Sequence, residues 1–321
     1  MLADLIELAG SPVALLYAVG LSLSLAGIAL EATVAAATGR RLYSARDTAA
    51  NLILYAGFFA LNLLWARAVF AIYAWTSDRA IVQWPLGGFH LGQDGLWWEW
   101  LALFLLEDLC FYLFHRASHR CRVLWASHVT HHSSQHFNLS VAFRQTWVPF
   151  LGVLFWLPLL LIGFDPLMVM SVQVVSLFYQ ELLHSQVVPR LGPLEWIFNT
   201  PRHHAVHHGC NAVYLDRNYG GVLIIWDRLL GTFAARSEPV RFGLTTRLES
   251  HNPLVIAFHE WRALARGLIA ARTPRALLAE LVGPPRTASD HQVLAGDEVT
   301  IAATEWPPNT RAPRSPTSAR P

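Results

Sequence analysis

Apolar residues fall along this chain in long, nearly unbroken blocks. Pro12 to Ala37 is almost entirely apolar and closes at Arg40 and Arg41. About 20 apolar residues are enough for a helix to cross a bilayer, so this block predicts a first transmembrane helix. Thr48 to Trp75 predicts a second, interrupted only by Asn51, Asn62 and Arg67. An arginine at that depth must face protein or snorkel to the surface. Leu96 to Phe114 predicts a third, with Trp97, Trp98 and Trp100 placed as an interfacial aromatic belt. Val148 to Ile162 and Leu167 to Leu183 are shorter runs, joined by the turn signal Gly163-Phe164-Asp165-Pro166. They predict a helical hairpin that crosses the membrane fully or re-enters it.

Composition agrees with this pattern. Of 321 residues, 54% are hydrophobic and 14% charged, where a soluble domain carries about a quarter charged residues. Mean hydropathy is +0.34. A net charge of +2 argues against a nucleic-acid partner. All basic residues are arginine. The N-terminus has no basic region, so no secretory signal peptide is expected. Arginine asymmetry sets the orientation. Arg40, Arg41 and Arg46 follow the first block, and Arg116, Arg120, Arg122 and Arg144 follow the third. The second is followed only by Arg79, beside Asp78. The positive-inside rule places the N-terminus outside and the loops after the first and third helices in the cytoplasm, as in a bacterial inner membrane.

Beyond His208 the chain turns polar. Asn252-Pro253 is a helix start, with a cap and then proline at the first position. Leu254 to Arg272 combines an apolar face with Arg262 and Arg266, as in a helix lying in the membrane interface. From Gly283 onward proline, serine, threonine and arginine predict a disordered tail. The expected fold is all-α. Residues 1–95 form N-terminal membrane helices and loops, residues 96–272 a catalytic region, and residues 273–321 a linker and tail. Four to five transmembrane or re-entrant helices carry a helical histidine-rich cap on the cytoplasmic face.

Fifteen histidines against three cysteines is the unusual ratio. Cys110, Cys121 and Cys210 make no C-x-x-C pair, so neither a disulfide framework nor a thiolate site is expected. The histidines form clusters: His115-x3-His119, His128-x2-His131-His132, and His204-x2-His207-His208 with His203 directly before it. His184 stands alone at the end of the hairpin. Residues three or four apart share a helix face, so each cluster offers two or three imidazoles toward one point. Eight nitrogens, or nine with His184, exceed the needs of one metal ion and suit two. Imidazole without thiolate fits iron, copper or zinc. Asp108, seven residues before His115, could accept a hydrogen bond from the far nitrogen of a ligand imidazole. His203 points off the shared face and is a possible additional ligand. His90, His136, His251, His259 and His291 are read as ordinary histidines. Glu181-x-x-His184 has no second copy, which excludes a carboxylate-bridged di-iron bundle, and no H-E-x-x-H is present.

These motifs around membrane hairpins resemble the fatty acid hydroxylase and sterol desaturase superfamily. The resemblance covers Leu96 to Phe233 and fades toward Trp261. Several flanks are similar to its alkylglycerol monooxygenase branch: Leu124 to His128, His132 to Ser134, Asn138 to Ser140, Leu191 to Glu195, Asn218 to Gly221, Ile225 to Asp227 and Gly231 to Phe233. Gln135-His136 and Arg202 depart from that branch, which usually has acidic residues and serine there. The resemblance implies a centre of two iron ions, O2 as co-substrate, a membrane lipid substrate and an active site at the cytoplasmic face. No flavin or nicotinamide fingerprint is present, so a separate electron donor is expected, either a reduced pterin or a reductase. Hydroxylation is the expected reaction, with desaturation the alternative. A bis-histidine haem carrier would need ligand pairs near membrane depth. A metal transporter would place ligands along several helices, and the first two here contain no histidine.

Overall fold

The computed structural model describes residues 12–81 and 97–286. The signal-peptide expectation, the readings of His90 and His291, and the tail from residue 287 lie outside the described residues. All regular elements there are helical: α1 (Pro12–Ala37), α2 (Ala45–Ser77), α3 (Trp97–Arg120), α4 (Arg122–His132), α5 (Leu157–Leu161), α6 (Pro166–Leu182), α7 (Pro201–His207), α8 (Ile225–Leu229), α9 (Pro253–Ala270) and α10 (Pro274–Val282). Short 3-10 turns cover Leu139–Phe143, Pro149–Phe155 and Gly192–Trp196.

Local chemistry starts several of these helices. The Asp165 side chain accepts from the Leu167 and Met168 amides, Asn252 from Leu254 and Thr273 from Ala276, and each cap is followed by proline at the first helical position. The Thr273-Pro274 start lies where the sequence predicts a linker. Leu277, Leu278 and Leu281 give that stretch a stripe of apolar residues at helical spacing. The helix is docked by Arg122, whose guanidinium meets Glu280 at 2.7 Å.

Two helices, α1 and α2, are long and apolar enough to cross a membrane. Little of either is buried inside the protein, and Leu15, Leu23, Leu30, Leu63 and Leu64 lie exposed. Water would not tolerate so much contiguous apolar surface. The sequence predicts more crossings than these two. The first arm of the hairpin, Pro149–Leu161, breaks into a 3-10 turn and one α-turn, short of a spanning length. α3 carries Glu99, Glu107 and Asp108, and it continues past Phe114 to Arg120, which brings His115 and His119 onto it.

Packing then sets which ends lie together. Along α1, Tyr17 meets Phe178 edge-on, Ser24 hydrogen bonds to Glu181, and Glu31 accepts from Ser185 and the Gln186 amide. α1 and α6 therefore run side by side in the same direction. At Gly20 an added Cβ would sit 2.0 Å from the Phe178 ring, so only glycine allows that approach. An apolar core of Tyr73, Leu103, Trp156, Leu160, Phe164 and Val169 fills the bundle away from the histidines. At the histidine end the contacts are polar. Arg144, 2% exposed, pairs with Asp47 at 3.2 Å and donates to Asn51 at 2.8 Å and Ser133 at 2.8 Å, which ties the start of α2 to the end of α4.

Candidate metal centre

The ends of α3 and α6, the whole of α4 and the short α7 converge at this polar end. Nine imidazoles meet there in two adjacent groups. One holds His115, His119, His128, His132 and His207; the other holds His131, His184, His204 and His208. Within each group the candidate ligand atoms lie within 4.8 Å of one another. The groups share a wall, where the His132 and His208 rings stack with centroids 4.4 Å apart. Each triplet expected to point at one place is in fact divided. His128 and His132 face the first group and His131 the second; His204 and His208 face the second and His207 the first. Adjacent helical residues point about 100° apart, so an H-x2-H-H motif on one helix serves two centres at once.

Backbone carbonyls set the rings. His115 Nδ1 donates to the Tyr219 carbonyl at 2.8 Å, His207 Nδ1 to Arg217 at 2.9 Å and His184 Nδ1 to Gln180 at 3.1 Å. A carbonyl only accepts, so each of these nitrogens carries the proton and each Nε2 carries a lone pair. Burial, then the neighbouring imidazoles, holds His128, His131, His132, His204 and His208 well below the usual histidine range, and burial does the same to His207. The rings are therefore neutral, as metal ligands must be.

Protons alone cannot satisfy this arrangement. Nε2 atoms run His115–His128–His132–His207 at 3.0, 3.0 and 3.2 Å. His115 and His207 end the chain as acceptors, so His128 and His132 must both donate outward. Their mutual 3.0 Å contact is then left with neither a proton nor a lone pair to share. In the second group the single lone pair of His184 Nε2 faces both His131 and His204 at 3.1 Å, and His204 also meets His208 at 3.1 Å. A cation among the lone pairs removes the conflict. Nitrogens that share one ion at about 2.1 Å each can lie no more than about 4.2 Å apart, and the neighbours here lie at 3.0–3.2 Å. The donor set thus fits two nitrogen-bound metal ions.

Asp108 is close by but does not touch an imidazole. Its carboxylate accepts from the Val222 amide at 2.7 Å, the Leu223 amide at 3.1 Å and Trp226 Nε1 at 2.9 Å. This corrects the expected imidazole contact. His115 finds a backbone carbonyl instead, and Asp108 holds the loop that supplies it. Asp227 grips the same loop from the other side through the Tyr219 and Gly220 amides. At Gly221 an added Cβ would stand 2.8 Å from the Asp108 carboxylate, and Asn218 has φ +56°. The carbonyls of Tyr219, Arg217 and Gln180 escaped the sequence reading, because a backbone acceptor leaves no residue-type signal. The Asn218-Tyr-Gly-Gly stretch, with two glycines beside an asparagine, was the available hint of a constrained loop.

His203 is buried but joins neither group. Its ring lies edge-on to Phe233, and its backbone carbonyl accepts from Asn218. His136, His251 and His259 also lie outside both groups.

Known proteins share this region. The chain is 43% identical to human alkylglycerol monooxygenase over 190 residues, which is 59% of this chain and 40% of that protein. It is 35% identical to an ornithine lipid hydroxylase of Rhizobium tropici over 137 residues, 42% of this chain and 41% of that one. Human cholesterol 25-hydroxylase is 29% identical over 149 residues, 44% and 53% of the two chains. The chain spans about two fifths of the length of the alkylglycerol monooxygenase it matches. No solved structure matches it. Residues 100–232, which contain all nine convergent histidines and both loop-holding aspartates, match the fatty acid hydroxylase family.

Proposed function

We propose that the protein is a membrane-bound, O2-dependent di-iron oxygenase that hydroxylates a C–H bond of a lipid. The observation that carries this reading is the pair of adjacent all-nitrogen groups, whose lone pairs need cations, at the end of a bundle with two membrane-length helices. A haem carrier needs two axial imidazoles; nine convergent ones exceed that need. The names of the relatives support a lipid substrate and a hydroxylated product: an alkylglycerol, an ornithine lipid and cholesterol.

Iron ions bound there would supply the activation of O2 that no acid–base side chain can provide. His115, His119, His128, His132 and His207 would hold one ion, and His131, His184, His204 and His208 the other. The Tyr219, Arg217 and Gln180 carbonyls keep three of those rings in the tautomer that presents Nε2. Electrons come from a separate donor, a reduced pterin or a reductase. Arg40, Arg41 and Arg46 cluster at the histidine end, against Arg79 beside Asp78 at the other end of α2, which supports an inner-membrane protein with its centre at the cytoplasmic face.

The test is expression under 18O2 with lipid mass spectrometry, against a His207→Ala control. A lipid heavier by one labelled oxygen, absent from the control, is expected. A product lighter by two hydrogens would instead assign desaturation. No lipid change, with a competent donor present, would overturn the reading.

A further inference from the structure

Beyond His184 the chain leaves the bundle and builds a surface with an unusual composition. Leu191, Leu194, Trp196, Ile197, Leu229 and Leu230 are all exposed; Leu194 is 53% accessible, Trp196 67% and Leu229 73%. They belong to two segments that the fold sets side by side. The Ile224 amide donates to the Ile197 carbonyl at 2.9 Å, and Arg228 donates to the Glu195 carbonyl at 3.1 Å. The Arg228 guanidinium also lies over the Trp196 ring, 4.7 Å from its centroid.

We infer that this pair of segments, 188–199 and 225–230, is embedded in the surface of the bilayer leaflet on the histidine side, among anionic lipid headgroups. Three observations select lipid as the occupant. First, the patch continues a belt of exposed apolar residues. Val175, Leu177 and Leu182 are exposed on α6, Val188 follows, and Leu191 and Leu194 come next. Second, the distance along the chain is short. α6 ends at Leu182, level with Arg40, which donates to the Gln186 carbonyl at 3.0 Å just beyond the end of α1. A segment starting six residues after a bundle helix cannot stand far from the interface. Third, the rim is basic. Arg190, Arg202, Arg217 and Arg228 border the patch; Glu195 is turned back to cap the Leu191 amide, and Asp216 is engaged by Arg120. A tryptophan with an arginine stacked on it, beside leucines, suits the depth where the apolar body enters the acyl boundary and the charge stays among phosphates. The consequence is local. α7, which carries His204 and His207, follows the first segment directly, so a lipid could reach the centre without leaving its leaflet. The inference itself needs no metal and stands apart from the oxygenase reading.

The test uses the full chain in nanodiscs of phosphatidylcholine and phosphatidylglycerol. Nitroxide labels are placed by Leu194→Cys, Leu229→Cys and, as an exposed control, Thr245→Cys, with Cys110, Cys121 and Cys210 replaced by serine. Labels at the first two positions should be more accessible to O2 than to a nickel chelate, and the control the reverse. Equal nickel access at all three would overturn the inference. So would shielding from both reagents, which would mean that protein covers the patch. Unaltered protein gives a second measurement. A photoreactive phosphatidylglycerol should crosslink to 188–199 and 225–230 and not to 240–250; absence of those crosslinks would equally overturn it.

Discussion

Three imidazoles at the candidate centre are set by what their other nitrogen does. His115, His184 and His207 have Nδ1 tied to a carbonyl, so their Nε2 lone pairs are aimed before any ion arrives. Under the proposed di-iron reading, losing a ring from either group removes a ligand and losing His203 does not. His131→Ala and His207→Ala should each lower bound iron and abolish activity, whereas His203→Ala should keep the iron content of the parent. Metal analysis of protein purified without chelators checks this, and equal iron loss in the His203 variant would void the partition. Asp108 acts one step further out, through the loop that carries the Tyr219 carbonyl. Asp108→Asn places an amide N–H against donors that need an acceptor. It should cost activity about 10–100-fold, in the range found when a partner of a ligand is lost. Iron should fall less than in His131→Ala. Activity unchanged with iron unchanged would show that the loop does not need this carboxylate.

Among the elements, the ones with the strongest sequence signals came out as read. The apolar blocks became α1 and α2, and the histidine spacing placed His128 and His132 on one face of α4. What escaped was set by partners distant in the chain. α3 extends past Phe114 because its last turns bury His115, Ser118 and His119 against α4. Helix geometry makes neighbouring histidines diverge, but which group each one joins depends on where α3, α6 and α7 end, which no local pattern encodes. The spacing of Asp108 predicts an imidazole partner, but its hydrogen-bond donors are Val222, Leu223 and Trp226, more than a hundred residues away. In the sequence Arg144 marks only topology, yet it joins α2 to α4 through Asp47, Asn51 and Ser133. Breaking one side of such a buried pair leaves the other charge unpaired and typically costs about 3–5 kcal/mol. Arg144→Met should therefore lower the thermal midpoint strongly. Adding Asp47→Asn should recover part of the loss, because the stranded charge is gone. No recovery in the double variant would mean that the pair contributes through packing rather than charge.

At the scale of the whole molecule, the crowding of neutral histidines makes stability depend on pH. His203 is pushed down to about 4, chiefly by burial, and seven of the clustered histidines lie well below their usual range. The unfolded chain takes up protons from about pH 6.5 downward, and the folded chain does not. The stability these rings contribute is therefore fully present above about pH 6.5 and is lost progressively as pH falls from there toward the folded values, about 4 for His203. Metal-free protein in detergent should melt at progressively lower temperature between about pH 7 and pH 5. A midpoint that rises on acidification would mean that the rings are charged in the folded state.

The same molecule must also divide its two ends between two compartments if α2 spans. Ala45–Ser77 covers 33 residues at about 1.5 Å each, more than a hydrocarbon core of about 30 Å requires. Its first turns lie beside the histidine groups, through the hydrogen bonds of Asp47 and Asn51. Its last turn ends in the exposed Asp78 and in Arg79, which stacks on Trp75. A metal centre fed with cytoplasmic electrons requires Arg46 inside and Asp78 outside. In a background without Cys110, Cys121 and Cys210, Asp78→Cys should react with a membrane-impermeant thiol reagent in intact cells. Arg46→Cys should react only after the cells are opened. Both residues are exposed, so neither result can be blamed on burial in the protein. Labelling of both in intact cells would show that α2 does not cross. Labelling of Arg46→Cys alone would invert the protein and place the histidines on the side away from the reductant.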